Sequence, residues 1–301
     1  MIKKALIFFL LIFPVLSNSQ EYVDLINVSY AKSGETKFRN SPEKTTVSIF
    51  DSKVLLPIVL NPKTAIITGF DFNIKNLQLL PNAEFSDLYY TRLKLGVNTE
   101  HSDKWTGSYA LLPVISSDYK KLSFDDVYMG GIAILTYKKN KSLNYKFGVY
   151  TGTEASGYFI TALLGMYYKI PNSDFEITAL MPGILDVNYG ISSSTKVGID
   201  YKGSSEAFKF HDENILKTYV ENSTLEFSSY IENNSLTKNL LLRLKAGLAT
   251  NRYDVYAVDD KFDLNITPFK IGDDRTKLNE KMNSSAFFRF EAIYRFNIPS
   301  K

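Results

Sequence analysis

The sequence predicts an all-β chain, a transmembrane antiparallel up-and-down β-barrel of about 14 strands, with 12 as the alternative count. Three observations lead there. Strand-length segments alternate apolar residues with charged residues or glycine, and a period of two places these sets on opposite faces of a strand. The connections alternate in length, tight turns exchanging with longer links. The last segment, 286–298, sets Phe288, Phe290, Ala292, Tyr294, Phe296 and Ile298 on one face and Arg289, Glu291, Arg295 and Asn297 on the other, with Ile293 out of pattern. An aromatic strand of about 10 residues near the C-terminus has the form of a barrel's closing strand.

In chain order, Lys3 and Lys4 precede an apolar run from Ala5 to Leu16, and Ser17-Asn18-Ser19 is a small-x-small cleavage site. Residues 1–19 therefore read as a secretory signal and 20–301 as one barrel domain, the mature chain starting near Gln20. The apolar run is about a dozen residues, too short to cross a membrane as a helix, and no adequate run follows it. A sheet in a membrane must then close, because hydrocarbon does not tolerate an open edge. The chain has no cysteine, which excludes disulfides, thiolate metal sites and a lipoprotein anchor. Removing two lysines with the signal takes 35 basic residues to 33, against 32 acidic. Near-neutrality argues against a nucleic-acid or polyanion partner. Tyr and Phe, 20 and 21 residues, make up most of the 14% aromatic content and favour strands. A soluble sandwich would show the same period with its apolar face turned inward.

Candidate strands run near 22–31, 45–60, 64–79, 85–98, 104–116, 123–138, 143–152, 157–170, 174–181, 184–191, 195–206, 215–231, 238–252 and 286–298. In the fourth, Tyr89, Leu93, Leu95 and Val97 oppose Tyr90, Arg92, Lys94, Gly96 and Asn98. In the seventh, Leu143, Tyr145, Phe147 and Val149 oppose Asn144, Lys146, Gly148 and Tyr150. In the eleventh, Val197, Ile199 and Tyr201 oppose Lys196, Gly198, Asp200 and Lys202. In the thirteenth, Leu240, Leu242, Leu244, Ala246 and Leu248 oppose Arg243, Lys245 and Gly247, with Leu241 an exception. Tight turns fall at 61–63, 139–142, 171–173 and 192–194, with longer ones at 99–103 and 232–237 in the same phase. The other end carries 32–44, 80–84, 117–122, 153–156, 207–214 and the long 253–285, which a barrel would direct outward. Pro182-Gly183 fits poorly, as a tight turn on the outer side. Tyr30, Tyr89, Trp105, Tyr137, Tyr168, Tyr189 and Tyr294 stand at strand ends, where interfacial girdles form.

Asp103-Lys104-Trp105, Leu112-Pro113-Val114-Ile115-Ser116-Ser117-Asp118, Gly130-Gly131, Leu135-Thr136-Tyr137-Lys138 and Gly157-Tyr158-Phe159 form a recognisable text. With Ile67-Thr68-Gly69-Phe70, Leu180-Met181-Pro182 and Tyr294-Arg295-Phe296, this resembles an uncharacterised family of Gram-negative outer-membrane β-barrel proteins, a domain of unknown function. The resemblance covers most of the mature chain and thins over 207–285. It implies fold and an outer-membrane location, with no activity, substrate or catalytic residue to carry over.

Chemistry-bearing residues are few. Of the two histidines, His101 lies in Glu100-His101-Ser102-Asp103 on the periplasmic side and His211 in His211-Asp212-Glu213 on the outer side. A hydrolase would need one of them as base beside a serine or aspartate; solvated loops are the plainer reading, and no enzyme is expected. Asp259-Asp260-Lys261-Phe262-Asp263 and Gly272-Asp273-Asp274-Arg275 cluster carboxylates suited to Ca²⁺, but lack alternating acidic spacing. Lys261 and Arg275 compete for them, so a solvated, salt-bridged loop is expected and no cofactor or metal. The lumen-facing charges are expected to be Asp71, Lys75, Arg92, Lys94, Lys146, Lys196, Asp200, Lys202, Glu226, Arg243, Lys245, Arg289, Glu291 and Arg295, with bases outnumbering acids. Such a ring attracts anions through water or pairs across the lumen to stitch it shut. The functional expectation is a passive channel or small-solute transporter of unknown solute, the alternative a non-conducting barrel acting through its outer loops. Its partners are outer-membrane lipid and, through the C-terminal strand, the barrel-assembly machinery.

Overall fold

A computed structural model describes residues 22–211 and 217–297. The signal segment 1–19, Gln20, Asp212, Glu213 and Ile298 lie outside the described residues. Fourteen strands form one closed antiparallel ring: β1 (Tyr22–Ser33), β2 (Ser48–Asn61), β3 (Thr64–Leu77), β4 (Ser86–Glu100), β5 (Trp105–Ser117), β6 (Val127–Lys138), β7 (Leu143–Glu154), β8 (Gly157–Lys169), β9 (Phe175–Met181), β10 (Ile184–Gly190), β11 (Thr195–Phe210), β12 (Thr218–Thr237), β13 (Leu240–Ala249) and β14 (Ser285–Asn297). Each pairs with its chain neighbour. β14 closes the ring by pairing with β13, Leu240 opposite Tyr294, and with β1, Tyr30 opposite Phe290. Among the described residues the other sheet is a two-residue pairing of Thr36–Lys37 with Lys44–Thr45, too small to be the facing layer of a sandwich. β9 and β10 are separate strands joined at Pro182-Gly183, so the count is 14 and not 12.

Leu244, Leu248, Phe288 and Phe290 stand on the outer surface, while Arg289, Glu291 and Arg295 are buried between them in register. The two exceptions to alternation explain each other. Leu241 and Ile293 face one another across β13 and β14, point inward, and are 3% and 2% exposed. On β8, Tyr168 and Tyr158 lie 10 residues apart, which at ~3.3 Å per residue and a tilt near 40° is about 25 Å, the height of a lipid-facing apolar belt. Trp105 and Tyr137 are in register near the turn end with ring centroids 5.0 Å apart.

The outer end departs from the sequence expectation. Residues 207–210 continue β11, because it pairs with β12 as far as Phe210 opposite Thr218 and the two rise as a hairpin above β13. At the opposite, turn end, 232–237 continue β12 against β13. The 153–156 link is a tight turn, and Phe124–Asp126 is a 3₁₀ turn. The 253–285 stretch is partly ordered as strands: Tyr253–Ala257 pairs with the top of β12, and Leu264–Ile266 pairs with Phe269–Ile271 and, in parallel, with β8.

Candidate functional site: the lumen and its outer mouth

Inward register positions follow from the alternation, and all fourteen charges named from the sequence occupy them. Most are paired. Asp71 accepts from Arg92 Nε at 3.0 Å and pairs with Lys94. Arg243 bonds Glu232 through Nε at 3.0 Å and lies 3.6 Å from Glu291 and 3.7 Å from Asp186. Lys245 lies 3.2 Å from Glu291 and pairs with Asp200. Arg289 donates to Glu226 at 2.8 Å, and Arg295 forks onto Asp24 at 2.6 and 3.0 Å. Two pairs span the ring: Asp51 on β2 with Lys202 on β11 at 3.7 Å, and Lys75 on β3 with Glu206 on β11. Lys146 and Lys196, like the unforeseen Lys53, have no carboxylate within salt-bridge distance among the described residues. Glycine makes room at one crowded point. A Cβ on Gly198 would stand 2.5 Å from the Tyr230 ring, which the Arg243 guanidinium covers at 4.2 Å.

Asp24, Asp51, Asp186, Glu206 and Glu232 also face inward, so the excess of bases is smaller than the sequence suggested, and most of the buried cations have the carboxylate partner that offsets their desolvation.

The cross-ring pairs divide the lumen. On one side lies a cavity of about 220 Å³ lined by five acids (Asp51, Asp186, Asp200, Glu226, Glu291) and five bases (Lys53, Lys202, Arg243, Lys245, Arg289). On the other lies a cavity of about 220 Å³ with Arg92 and Lys94 facing Ala110, Leu112, Ile132 and Ile134. At the bridge itself the free volume falls to about 20 Å³, between Asp51, Lys75, Lys202 and Glu206. That is room for about one water.

Above the bridge the mouth is capped. The β11–β12 hairpin leans across the ring onto β4 and β5, burying Phe208, Phe210 and Val220 against Leu77, Leu88, Tyr90 and Val114. The Ser116 hydroxyl donates to the Ala207 carbonyl at 2.8 Å, and the Asp118 N–H to that of Lys209 at 3.1 Å. The 250–284 loop adds Tyr253, Val255 and Met282 to the same cluster. Asn279 ties it down, donating to the carbonyls of Leu79 (3.2 Å) and Tyr253 (2.8 Å). Arg275 is no solvated loop residue. Its side chain is buried, donates to Glu221 and Asp273 at 2.7 Å each, and stacks on Tyr256 at 4.1 Å. Its hydrogen bond holds the Asp273 carboxyl below the usual range, burial opposing. Asp260 accepts from the Thr276 N–H at 2.8 Å, and no group of ligands suited to a metal ion occurs among the described residues.

The histidines make no nucleophile–base pair. His211, 16% exposed at its side chain and so not in a solvated loop, approaches Asp126 at 2.8 Å. Ser123 hydrogen-bonds the same carboxylate and not the imidazole, so Asp126 clasps the hairpin to the β5–β6 loop. His101 stands in the turn at the opposite end, 2.9 Å from the Tyr109 hydroxyl.

A closed antiparallel ring with an apolar outer belt and an ionic interior is a transmembrane β-barrel; among the described residues no helix is long and apolar enough to cross a membrane. Residues 19–291 match the family model described as Domain of unknown function (DUF6268), and the chain belongs to that family. No curated protein matches it significantly. Among solved structures it is similar to an outer membrane channel from Pseudomonas putida F1, at 8% identity and a TM-score of 0.46, over 95% of this chain and 100% of that one. It is similar to the NanC porin at 11% identity and 0.38, over 89% and 98%. It also resembles the P. putida toluene transporter TodX at 10% identity and 0.36, over 93% and 91%.

Proposed function

We propose that the protein is a passive channel or small-solute transporter in the outer membrane of a Gram-negative bacterium, held closed here by its mouth cap. The supporting observation is the pair of chambers within the lumen, separated by a bridge of two ion pairs and not by packed apolar core. A barrel built only as scaffold gains nothing from burying so many charges, since apolar filling of the same volume is as stable or more so. The near balance of charge gives no selectivity between anions and cations. The test is single-channel recording in planar bilayers. Brief openings from a predominantly closed state are expected; silence across voltage and pH would refute the channel.

The second reading is a non-conducting barrel that binds a surface partner. It is favoured by the extent of the cap, which joins the β11–β12 hairpin and the 250–284 loop in one buried cluster. The same recording separates the two. In either case insertion depends on recognition of β14 by the barrel-assembly machinery. Deleting 286–301 is expected to abolish heat-modifiable protein in the outer membrane, and its persistence would count against that route.

A further inference from the structure

The wall of the barrel is incomplete between β8 and β11. β9 and β10 have seven residues each, which at ~3.3 Å per residue and the tilt above reach about 15 Å of the 25 Å belt. β9 pairs with β8 only from Lys169 up to Leu164, and β10 with β11 only from Lys196 up to Lys202. Above them β8 and β11 would present open edges at membrane depth, which lipid does not allow.

The long loop fills this notch. Leu264–Ile266 adds to β8 in register, Tyr158 opposite Leu264 and Ile160 opposite Ile266, and turns back as Phe269–Ile271. The inserted hairpin carries the wall's own pattern. Leu264, Ile266, Phe269 and Ile271 take outward positions, while Asn265 and Lys270 face in. Its seat is light. One three-residue ladder, the Thr267 N–H to the Ile160 carbonyl at 3.0 Å and the Thr161–Thr267 hydroxyl contact at 2.8 Å hold it to β8. Among the described residues it forms no ladder with β11, whose outward positions Gly203 and Ser205 are not apolar there. The buried side-chain oxygen Oδ1 of Asn265 accepts no hydrogen bond in this seat. The mouth above, by contrast, is sealed by an apolar cluster with Leu88, Phe208 and Val220 at 0% exposure.

We propose that this notch is a lateral portal between the lumen and the outer leaflet, with the 264–271 hairpin as its gate, taking small, neutral, mainly apolar solutes. It rests on the channel reading and names the solute class. The notch is closed by a short ladder and one ion pair, the mouth by a packed apolar cluster. A solute passing through lipid cannot carry a permanent charge, whose desolvation is prohibitive. Ala110, Leu112, Ile132 and Ile134 give such a solute an apolar face within the lumen.

The chain has no cysteine, so the gate can be locked cleanly. I160C/I266C places two cysteines at paired positions on adjacent strands, within disulfide reach. L135C/F147C, on the uninterrupted β6–β7 ladder, is the control. The probe is N-phenyl-1-naphthylamine, neutral and bright only in lipid, added to cells expressing each variant, with ion conductance recorded in parallel. Oxidised I160C/I266C is expected to lose the probe uptake that wild type adds over empty cells, to regain it with reductant, and to keep its ion openings. Oxidised L135C/F147C is expected to retain both. Uptake unaffected by the lock would overturn the portal, as would wild-type cells that conduct ions but take up no extra probe. A wild type showing neither current nor uptake would bring down the channel reading and the portal with it.

Discussion

The cap makes a quantitative demand on Phe208. Its ring is fully buried, 6.4 Å from Tyr90 in an edge-on contact and 5.0 Å beneath the Lys75 ammonium. Phe208→Ala leaves a cavity between the hairpin and β4 that neither can collapse into, because both are held in ladders. Such truncations cost ~3–5 kcal/mol. The ring is buried only when the cap is docked, so the cost falls on the docked state and raises the undocked population by on the order of 10²–10³, at about 1.4 kcal/mol per factor of ten. The assay places a single cysteine at Lys53, which lines the ionic chamber, and measures the rate of its labelling on intact cells by a bulky, impermeant maleimide. Lys53→Cys alone should label slowly, and adding Phe208→Ala should accelerate labelling in proportion to the undocked population. Equal rates in the two, with both proteins heat-modifiable, would refute the claim that this cluster closes the mouth.

Three further outcomes follow from the same geometry. Glu206→Gln leaves Lys75, 4% exposed, without its counter-charge and should lower barrel stability by about 2–3 kcal/mol in urea unfolding, short of the full buried-pair cost because Glu206 keeps some contact with water. Leu244→Arg puts a charge on the lipid face at mid-strand and should cost ~2–4 kcal/mol, read as lost outer-membrane insertion, whereas Leu244→Val should insert normally. Acid should loosen the outer loop. Burial pushes the Asp254 carboxyl up, but hydrogen bonds from Lys277 and Arg252 outweigh it, and Arg275 lowers Asp273 likewise. A carboxyl lowered on folding adds stability that is present above its unfolded value of 3.8 and lost as pH falls through the folded one. Protease cleavage within 250–284 should therefore be slow at neutral pH and rise below about pH 4; no change with pH would contradict the ionic fastening.

The barrel wall was legible because a period of two is local. Phe288 to Asn297 announces its two faces in one stretch, and Leu143 to Tyr150 does the same. Leu241 and Ile293 looked like errors in that pattern because their meaning is a contact between strands, visible only once the register of β13 on β14 is known. The missed lumenal acids have a similar cause. Asp51 sits in Ile49-Phe50-Asp51-Ser52, where both faces of β2 carry apolar residues, so no alternation marks it. Asp24 and Glu232 lie at strand ends that read as turns or termini. Least legible was the cap. Phe208 and Phe210 continue the strand alternation of β11, yet the sequence there has the look of a loop, because nothing local says that a strand leaves the membrane and leans across the ring. The apolar set Leu264, Ile266, Phe269 and Ile271 was hidden among acids and lysines, and its role depends on β9 and β10 being too short, which the Pro182-Gly183 turn hinted at without explaining.

The central claim is the direction in which the strands face. It is tested most directly by spin labels placed singly along Leu240–Ala249 in the refolded protein, comparing collision with oxygen, which concentrates in lipid, against a water-soluble nickel chelate. Oxygen accessibility should peak at Leu242, Leu244 and Leu248 and drop at Arg243, Lys245 and Gly247, where the chelate or neither reagent reaches. A profile with the opposite phase, or with no period of two, would contradict the account.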